Sequence, residues 1–341
     1  MEFYEIMTSR LLNYLCDPID KSSLRLREAT YNRNGEIIGG FLLSDSGRSY
    51  PIINGIPRFM TNDNSKASVK SFGEEWNYFN YDLFKTNWLN HVVKNTFGSV
   101  DAFKDKVIVD AGAGAGMQSL WMSEAGAEHV IALELSDSVD EVMKENLKNV
   151  QNIDIVQCSI DESPLKDNSI KGIVICHNVI QHTPSIEKTA RALWRIVAPG
   201  GEFVFNCYGK NDKGIIRKIR FHFYLQVRKF LSKKVVFFRL WYARIMSLLR
   251  FVPLLGLILE KSSLMSRGEV FGGKGYLKRA YKTGVLNTFD SFGAHQYQHY
   301  KSDEEIKKLI NGLQPDSEKI LNVDKYFSRP APIGCALRLF K

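Results

Sequence analysis

The chain has 341 residues, 44% hydrophobic and 24% charged, with a formal net charge of +9, which suits a soluble globular protein of one large domain with appendages or of two domains. Its five cysteines (Cys16, Cys158, Cys176, Cys207, Cys335) stand far apart without a Cys-x-x-Cys pair, so neither a disulfide framework nor a zinc ribbon is indicated. The start, Met1-Glu2-Phe3-Tyr4-Glu5, has no basic segment ahead of a long apolar run, so no secretory signal is expected and a reducing, cytoplasmic setting follows. The charge is uneven: residues 209–282 hold 18 Lys and Arg against three acids, an excess of 15 that leaves the remainder six negative.

In chain order, residues 1–60 read as a small β module. Leu15-Cys16-Asp17-Pro18 leads into two strand-like runs, and the segment closes with Tyr50-Pro51-Ile52-Ile53-Asn54-Gly55-Ile56-Pro57. This closing string resembles the small zinc-ribbon-like domain of the tRNA-methyltransferase-activator family. The metal site does not carry over, because Cys16 is the only cysteine here and structural zinc takes four ligands. The module is therefore expected to be metal-free.

Residues 61–100 are expected to form a polar linker, from Thr61 to about residue 70, and then aromatic helices beginning Phe72-Gly73-Glu74-Glu75-Trp76-Asn77-Tyr78-Phe79. Trp76 has two readings: it covers a cofactor, or together with Phe72 and Phe79 it staples the preceding segment to the core.

Residues 101–208 alternate strand and helix, the pattern of an α/β, Rossmann-like, doubly wound parallel sheet. The first strand, Val107 to Asp110, runs into Ala111-Gly112-Ala113-Gly114-Ala115-Gly116 and a helix predicted over about 117–125. Three glycines at every second position describe a strand, a tight turn and a helix N-terminus around a ligand that approaches the backbone closely. A dinucleotide fingerprint has its third glycine at the sixth position, which here is Met117. The Asp-x-Gly-x-Gly-x-Gly order instead resembles the first motif of class I S-adenosylmethionine-dependent methyltransferases of the small-molecule type.

That resemblance implies S-adenosyl-L-methionine as cofactor, held by Asp110, Gly112, Ala113, Gly114 and Gly116. The second strand, residues 129–134, ends in Glu134 about twenty residues after the loop. An acid there binds both ribose hydroxyls, with Leu135 beside it. A helix is predicted over about 137–149, with Val139, Val142, Met143 and Leu147 on one face. After the third strand, residues 153–158, comes Ser159-Ile160-Asp161-Glu162-Ser163-Pro164. Ser159 stands where the family's acid meets the adenine amine, so either Ser159 or Asp161 takes that role, and Ile160 packs on the adenine face.

The fourth strand, residues 172–176, runs into His177-Asn178-Val179-Ile180-Gln181-His182-Thr183-Pro184, and Pro199-Gly200-Gly201 later turns into strand five. Both strings are similar to the methyltransferase pattern, and His177 completes the expected cofactor contacts. His182, at the carboxyl edge of strand four, is the first candidate base for an acceptor hydroxyl. The reading that it only orders the turn before Pro184 stays open. His295, Tyr297, His299 and Tyr208 are further candidates, and no metal ligand set is expected.

Residues 209–300 form a basic, aromatic, helical insert. Within residues 215–260 the longest uncharged run, residues 251–259, has nine residues and includes Pro253, too short for a spanning helix. Three readings are open: a lid over the substrate pocket, a face lying on anionic membrane, or nucleic-acid contact. Residues 301–341 return to the sheet, with a capping-box start at Ser302-Asp303-Glu304-Glu305 and strands near residues 320–323 and 334–340. The resemblance implies seven strands in all, the last antiparallel.

The sequence thus points to methyl transfer onto a small-molecule acceptor, an oxygen of a metabolite, sugar-derived or lipid-linked compound. An RNA methyltransferase and a non-catalytic, membrane-associated methyltransferase-like partner are the alternatives. No Asn-Pro-Pro-Tyr string or Pro-Cys pair marks amino-group or cytosine methylation.

Overall fold

The computed structural model describes residues 7–60, 73, 76, 79, 81–210, 214–265, 275–293, 297–322 and 334–341. Among these residues eleven strands form one sheet: β1 (Leu24–Tyr31), β2 (Ile37–Ser44), β3 (Ser49–Ile53), β4 (Ile56–Phe59), β5 (Val107–Ala111), β6 (His129–Glu134), β7 (Ile153–Cys158), β8 (Ile173–Cys176), β9 (Glu202–Tyr208), β10 (Ser317–Asn322) and β11 (Gly334–Phe340). Their order is β1-β2-β3-β4-β7-β6-β5-β8-β9-β11-β10. β5 to β9 pair in parallel, and β11 runs antiparallel to β9 with Leu337 opposite Phe205.

The parallel strands are buried on both faces, so they are near-continuous runs of Val, Ile, Leu and Ala rather than alternating ones. Helices α1 (Met117–Glu124), α2 (Val142–Leu147), α3 (Ile186–Ile196) and, after the insert, α8 (Asp303–Leu313) accompany them. Of the four residues expected on one face, Val139, Met143 and Leu147 are buried and Val142 is half-buried. The expected single helix over 137–149 is two pieces, a 3-10 turn Asp137–Asp140 and α2, because Glu141 leaves helical geometry at φ −120°, ψ −99°. α8 begins with the predicted capping box: Glu305 N donates to Ser302 Oγ at 3.3 Å and Ser302 N to Glu305 Oε2 at 2.7 Å.

The sequence sets residues 1–60 apart from a seven-stranded sheet; β1 to β4 instead extend that sheet to eleven strands. The join is short, with Arg58 opposite Gln157 and Phe59 opposite Cys158 in parallel. Side chains lock it: Arg58 donates to Gln157 Oε1 at 2.8 Å and to Asp140 Oδ1 at 2.6 Å. Thr8 donates from N and Oγ1 to buried Asp154, which also pairs with His129 Nε2 at 2.6 Å. Met7, Leu11, Leu15, Leu42 and Phe59 share one apolar core with Val156 and Leu133. Among the described residues no three His, Cys, Asp or Glu side chains gather as a metal-binding group.

The insert contributes α4 (Ile215–Leu231), α5 (Val236–Leu249), α6 (Leu255–Lys261) and α7 (Tyr276–Ser291). Leu240 and Ala243 of α5 pack on Val285 and Phe289 of α7 as a small separate core, with Phe79 against it.

The chain passes from β5 outward to β6 and β7, then returns to the other side of β5 for β8 and β9. Such a reversal opens a crevice at the carboxyl ends of β5 and β8, where open α/β sheets bind ligands.

Candidate functional site

The glycine loop and the loop after β8 both start at this crevice and touch each other. Gly112 lies at φ +85°, and a Cβ there would sit 2.5 Å from Val179 Cγ1; Gly114 lies at φ +59°, and a Cβ there would sit 2.7 Å from Trp76 Cζ2. Both positions thus need glycine for dihedral and for space. The loop is tied to the next strand: Gly112 N and Ala113 N both donate to Leu133 O, at 2.8 and 2.9 Å. Gly116, at φ +77°, opens α1.

Asp110 and Glu134 are both buried at the strand ends. Asp110 Oδ2 accepts from Ser119 Oγ at 2.7 Å. Burial pushes its carboxyl up to about 6; the Ser119 bond opposes this, and the nearby Glu134 charge adds to it. Glu134 Oε2 accepts from Gly114 N and Oε1 from Ser136 N, each at 2.8 Å. A carboxylate offers about four lone-pair sites, so each oxygen retains capacity for a second donor. Leu135 follows at the half-buried rim. Trp76 lies over Gly114 and against the Tyr81 ring, centroids 4.7 Å apart, while Phe79 faces Phe289 at 5.5 Å. Trp76 therefore covers the loop, and Phe79 packs on the insert. Phe72 lies outside the described residues.

Beyond β7 the two alternatives raised by the sequence form a single unit. Ser159 Oγ donates to Asp161 Oδ1 across the 3-10 turn Ile160–Glu162, and Lys188 Nζ of α3 sits 3.0 Å from Asp161 Oδ2. Ile160 is buried beside them.

After β8, His177 is partly buried, and desolvation pushes its imidazole down to about 4, so it stays neutral at ordinary pH. Asn178, in the left-handed region at φ +61°, is held by Asn206: its N donates to Asn206 Oδ1 and its Oδ1 accepts from Asn206 Nδ2, both at 2.6 Å. His182 is buried with Nδ1 3.1 Å from Tyr297 O. A carbonyl only accepts, so Nδ1 carries the proton in this contact; in a neutral ring the lone pair is then on Nε2, the form a general base needs. His299 shows the opposite tautomer, Nε2 donating to Thr183 O at 3.0 Å, and its ring lies 6.1 Å from Tyr297. Tyr208 meets His182 edge-on at 5.6 Å and leads through Tyr300 to Phe221 of α4. The structure thus brings His182, Tyr297, His299 and Tyr208 together; His295 lies outside the described residues.

One residue escapes sequence reasoning. Gln181 is fully buried, and neither Oε1 nor Nε2 of its side chain has a hydrogen-bond partner among the described residues. A buried amide left unpaired costs about 1–3 kcal/mol, and this one, beside His182, is closed to solvent. The only signal in the sequence is its position in the Gln181-His182-Thr183-Pro184 string.

Residues 109–205 match the methyltransferase domain family. The match starts one residue before Asp110 and ends in β9, so it contains the glycine loop, Glu134, Asp161 and His182 but neither the N-terminal strands nor the insert. Over 113 residues the chain is 27% identical to the ubiquinone biosynthesis O-methyltransferase of Saccharophagus degradans, covering 33% of this chain and 48% of that protein. Over 112 residues it is 30% identical to the enzyme of the same name from Aromatoleum aromaticum, covering 33% and 47%. A protein arginine N-methyltransferase 1 of Oryza sativa subsp. indica is 32% identical over 120 residues, covering 32% and 30%. The chain spans about half the length of the first two relatives, and less of the third. A solved S-adenosylmethionine-dependent methyltransferase from Mesorhizobium loti superposes with a TM-score of 0.41 at 14% identity, covering 70% of this chain and 93% of that one.

Proposed function

We propose that the chain is an S-adenosylmethionine-dependent methyltransferase acting on an oxygen of a small-molecule acceptor of the metabolite, sugar-derived or lipid-linked kind. The observation that carries this is the buried Asp110 and Glu134 pair across a loop whose Gly112 and Gly114 leave no room for a Cβ. Two relatives that are O-methyltransferases by name favour oxygen as the accepting atom.

The residues fit the cofactor. Glu134 would hold the ribose hydroxyls with the lone pairs its two amide donors leave over, Leu135 and Ile160 would flank the adenine, and the Ser159–Asp161 unit would meet its amine. Trp76 closes over the glycine loop and excludes water from it, and neutral His177 lines the same crevice. When bound, S-adenosylmethionine supplies a methyl group activated by a sulfonium. The chain's own work is then positioning and proton removal. His182 takes the acceptor hydroxyl's proton at Nε2, and the Tyr297 carbonyl fixes that tautomer. Tyr297, Tyr208 and His299 shape the acceptor side, and the inner face of α4 closes over it as a lid.

Calorimetry tests the reading. S-adenosylmethionine is expected to bind at micromolar concentration and Glu134→Ala to abolish binding; unchanged affinity in that variant removes the site assignment.

A further inference from the structure

Of the 23 large hydrophobic side chains exposed among the described residues, 17 lie between Ile215 and Leu277. They follow helical spacing on outward faces. On α4 the exposed row is Ile216, Ile219, Phe223 and Phe230; on α5 it is Phe237, Trp241 and Leu248. The loop into α6 and the helix itself add Phe251, Leu254, Leu257 and Ile258. The opposite faces are occupied: Tyr224 of α4 donates to Ser291 O at 2.8 Å, and Leu240 and Ala243 of α5 are buried against α7. The outward rows are therefore not a core turned inside out but second faces of helices already packed.

Cations flank these rows. Residues 215–260 carry ten Lys and Arg and one acid, Glu260. Lys218, Lys229, Lys233 and Lys234 are exposed beside the apolar rows, and Lys234 Nζ lies 4.3 Å from the Phe230 ring centroid. No helix among the described residues is long and apolar enough to cross a membrane. A second copy docked on this face would bring like charges together. RNA would match the cations but would leave the aliphatic rows in water.

We propose that the outer surface of α4, α5 and α6 docks the chain on an anionic lipid leaflet, with the apolar rows sunk into the interface and the lysines at the headgroups. Lys stems run along apolar surface while their ammonium groups stay among phosphates. α4 also reaches the ring cluster at Tyr300 with Phe221, so the docked face and the candidate acceptor side share one helix. The docking does not depend on the reaction proposed above and is read without activity.

The test is co-sedimentation of the full chain with phosphatidylglycerol vesicles and with phosphatidylcholine vesicles, at low and high salt. Binding is expected to phosphatidylglycerol only and to weaken with salt. Each cation removed among Lys229→Gln, Lys233→Gln and Lys234→Gln should lower partitioning about fivefold. The combined Ile219→Ser, Phe223→Ser, Phe237→Ser variant should lower it more than about tenfold, with an unchanged thermal transition and circular dichroism showing that it still folds. Absence of phosphatidylglycerol binding overturns the proposal, whether the chain stays monomeric, dimerises through this face, or binds RNA instead. Binding that survives the apolar variant overturns the insertion of the helices.

Discussion

Replacing Asp110 by asparagine should stabilise the chain while destroying its ligand site, and the gain should depend on pH. Buried at the end of β5, the Asp110 carboxyl titrates at about 6 in place of 3.8. The folded state therefore holds the proton more tightly than the unfolded one, so this group's contribution falls as pH rises from 3.8 through about 6 and is level above. Fully ionised, the carboxylate costs the fold about 3 kcal/mol. Asparagine keeps an oxygen for the Ser119 hydroxyl, whose bond is 2.7 Å long, and removes the charge. Any change in neutral hydrogen bonding is the same at every pH, which makes the pH dependence the clean readout. Urea unfolding at about pH 8 and about pH 4.5 should show the stability difference between Asp110→Asn and the parent shrinking by about 2 kcal/mol at the lower pH. An equal difference at both values would refute the claim that a buried charge is held there against stability. In the same variant S-adenosylmethionine binding should disappear.

Three further outcomes follow from the geometry. Gly114→Ala puts a Cβ 2.7 Å from Trp76 Cζ2 at φ +59°, so it should lose about 1–3 kcal/mol in urea unfolding and shift the tryptophan fluorescence, whereas an unperturbed spectrum would mean that Trp76 does not sit on the loop. His182→Ala should cut turnover of the acceptor about 10²- to 10⁴-fold while calorimetric cofactor affinity holds; a parallel loss of affinity would assign His182 to the fold instead. Asp161→Asn weakens both the Ser159 contact and the 3.0 Å ion pair with Lys188, and should weaken cofactor binding about tenfold with little effect on turnover at saturation, which steady-state kinetics separates.

The core strands are readable because burial on both faces makes them near-continuous apolar runs, and because Asp110 and Glu134 stand at the ends of two of them at the spacing that nucleotide-type sites use. The continuity of β4 with β7 is not readable, since it rests on two residue pairs and on Arg58 finding Gln157 and Asp140, partners 99 and 82 residues away. Ser159 and Asp161 look like competitors in the sequence because only the 3-10 turn between them brings hydroxyl and carboxylate into contact. The buried amide of Gln181, without a partner among the described residues, is invisible for a simpler reason: burial is a property of the packed loop, and a glutamine before a histidine looks solvated. The insert's charge and aromatic content are legible, but which face of each helix is outward is decided by α7 and the ring cluster under α4.

The most direct test of the central claim is a crystal structure of the chain with S-adenosylhomocysteine. It should place the ribose hydroxyls on Glu134, the adenine beside Ile160 and Asp161, and the sulfur on the side of the crevice that holds His182. Density for the ligand away from the Asp110 to Gly116 loop, or none at saturating concentration, would contradict the claim.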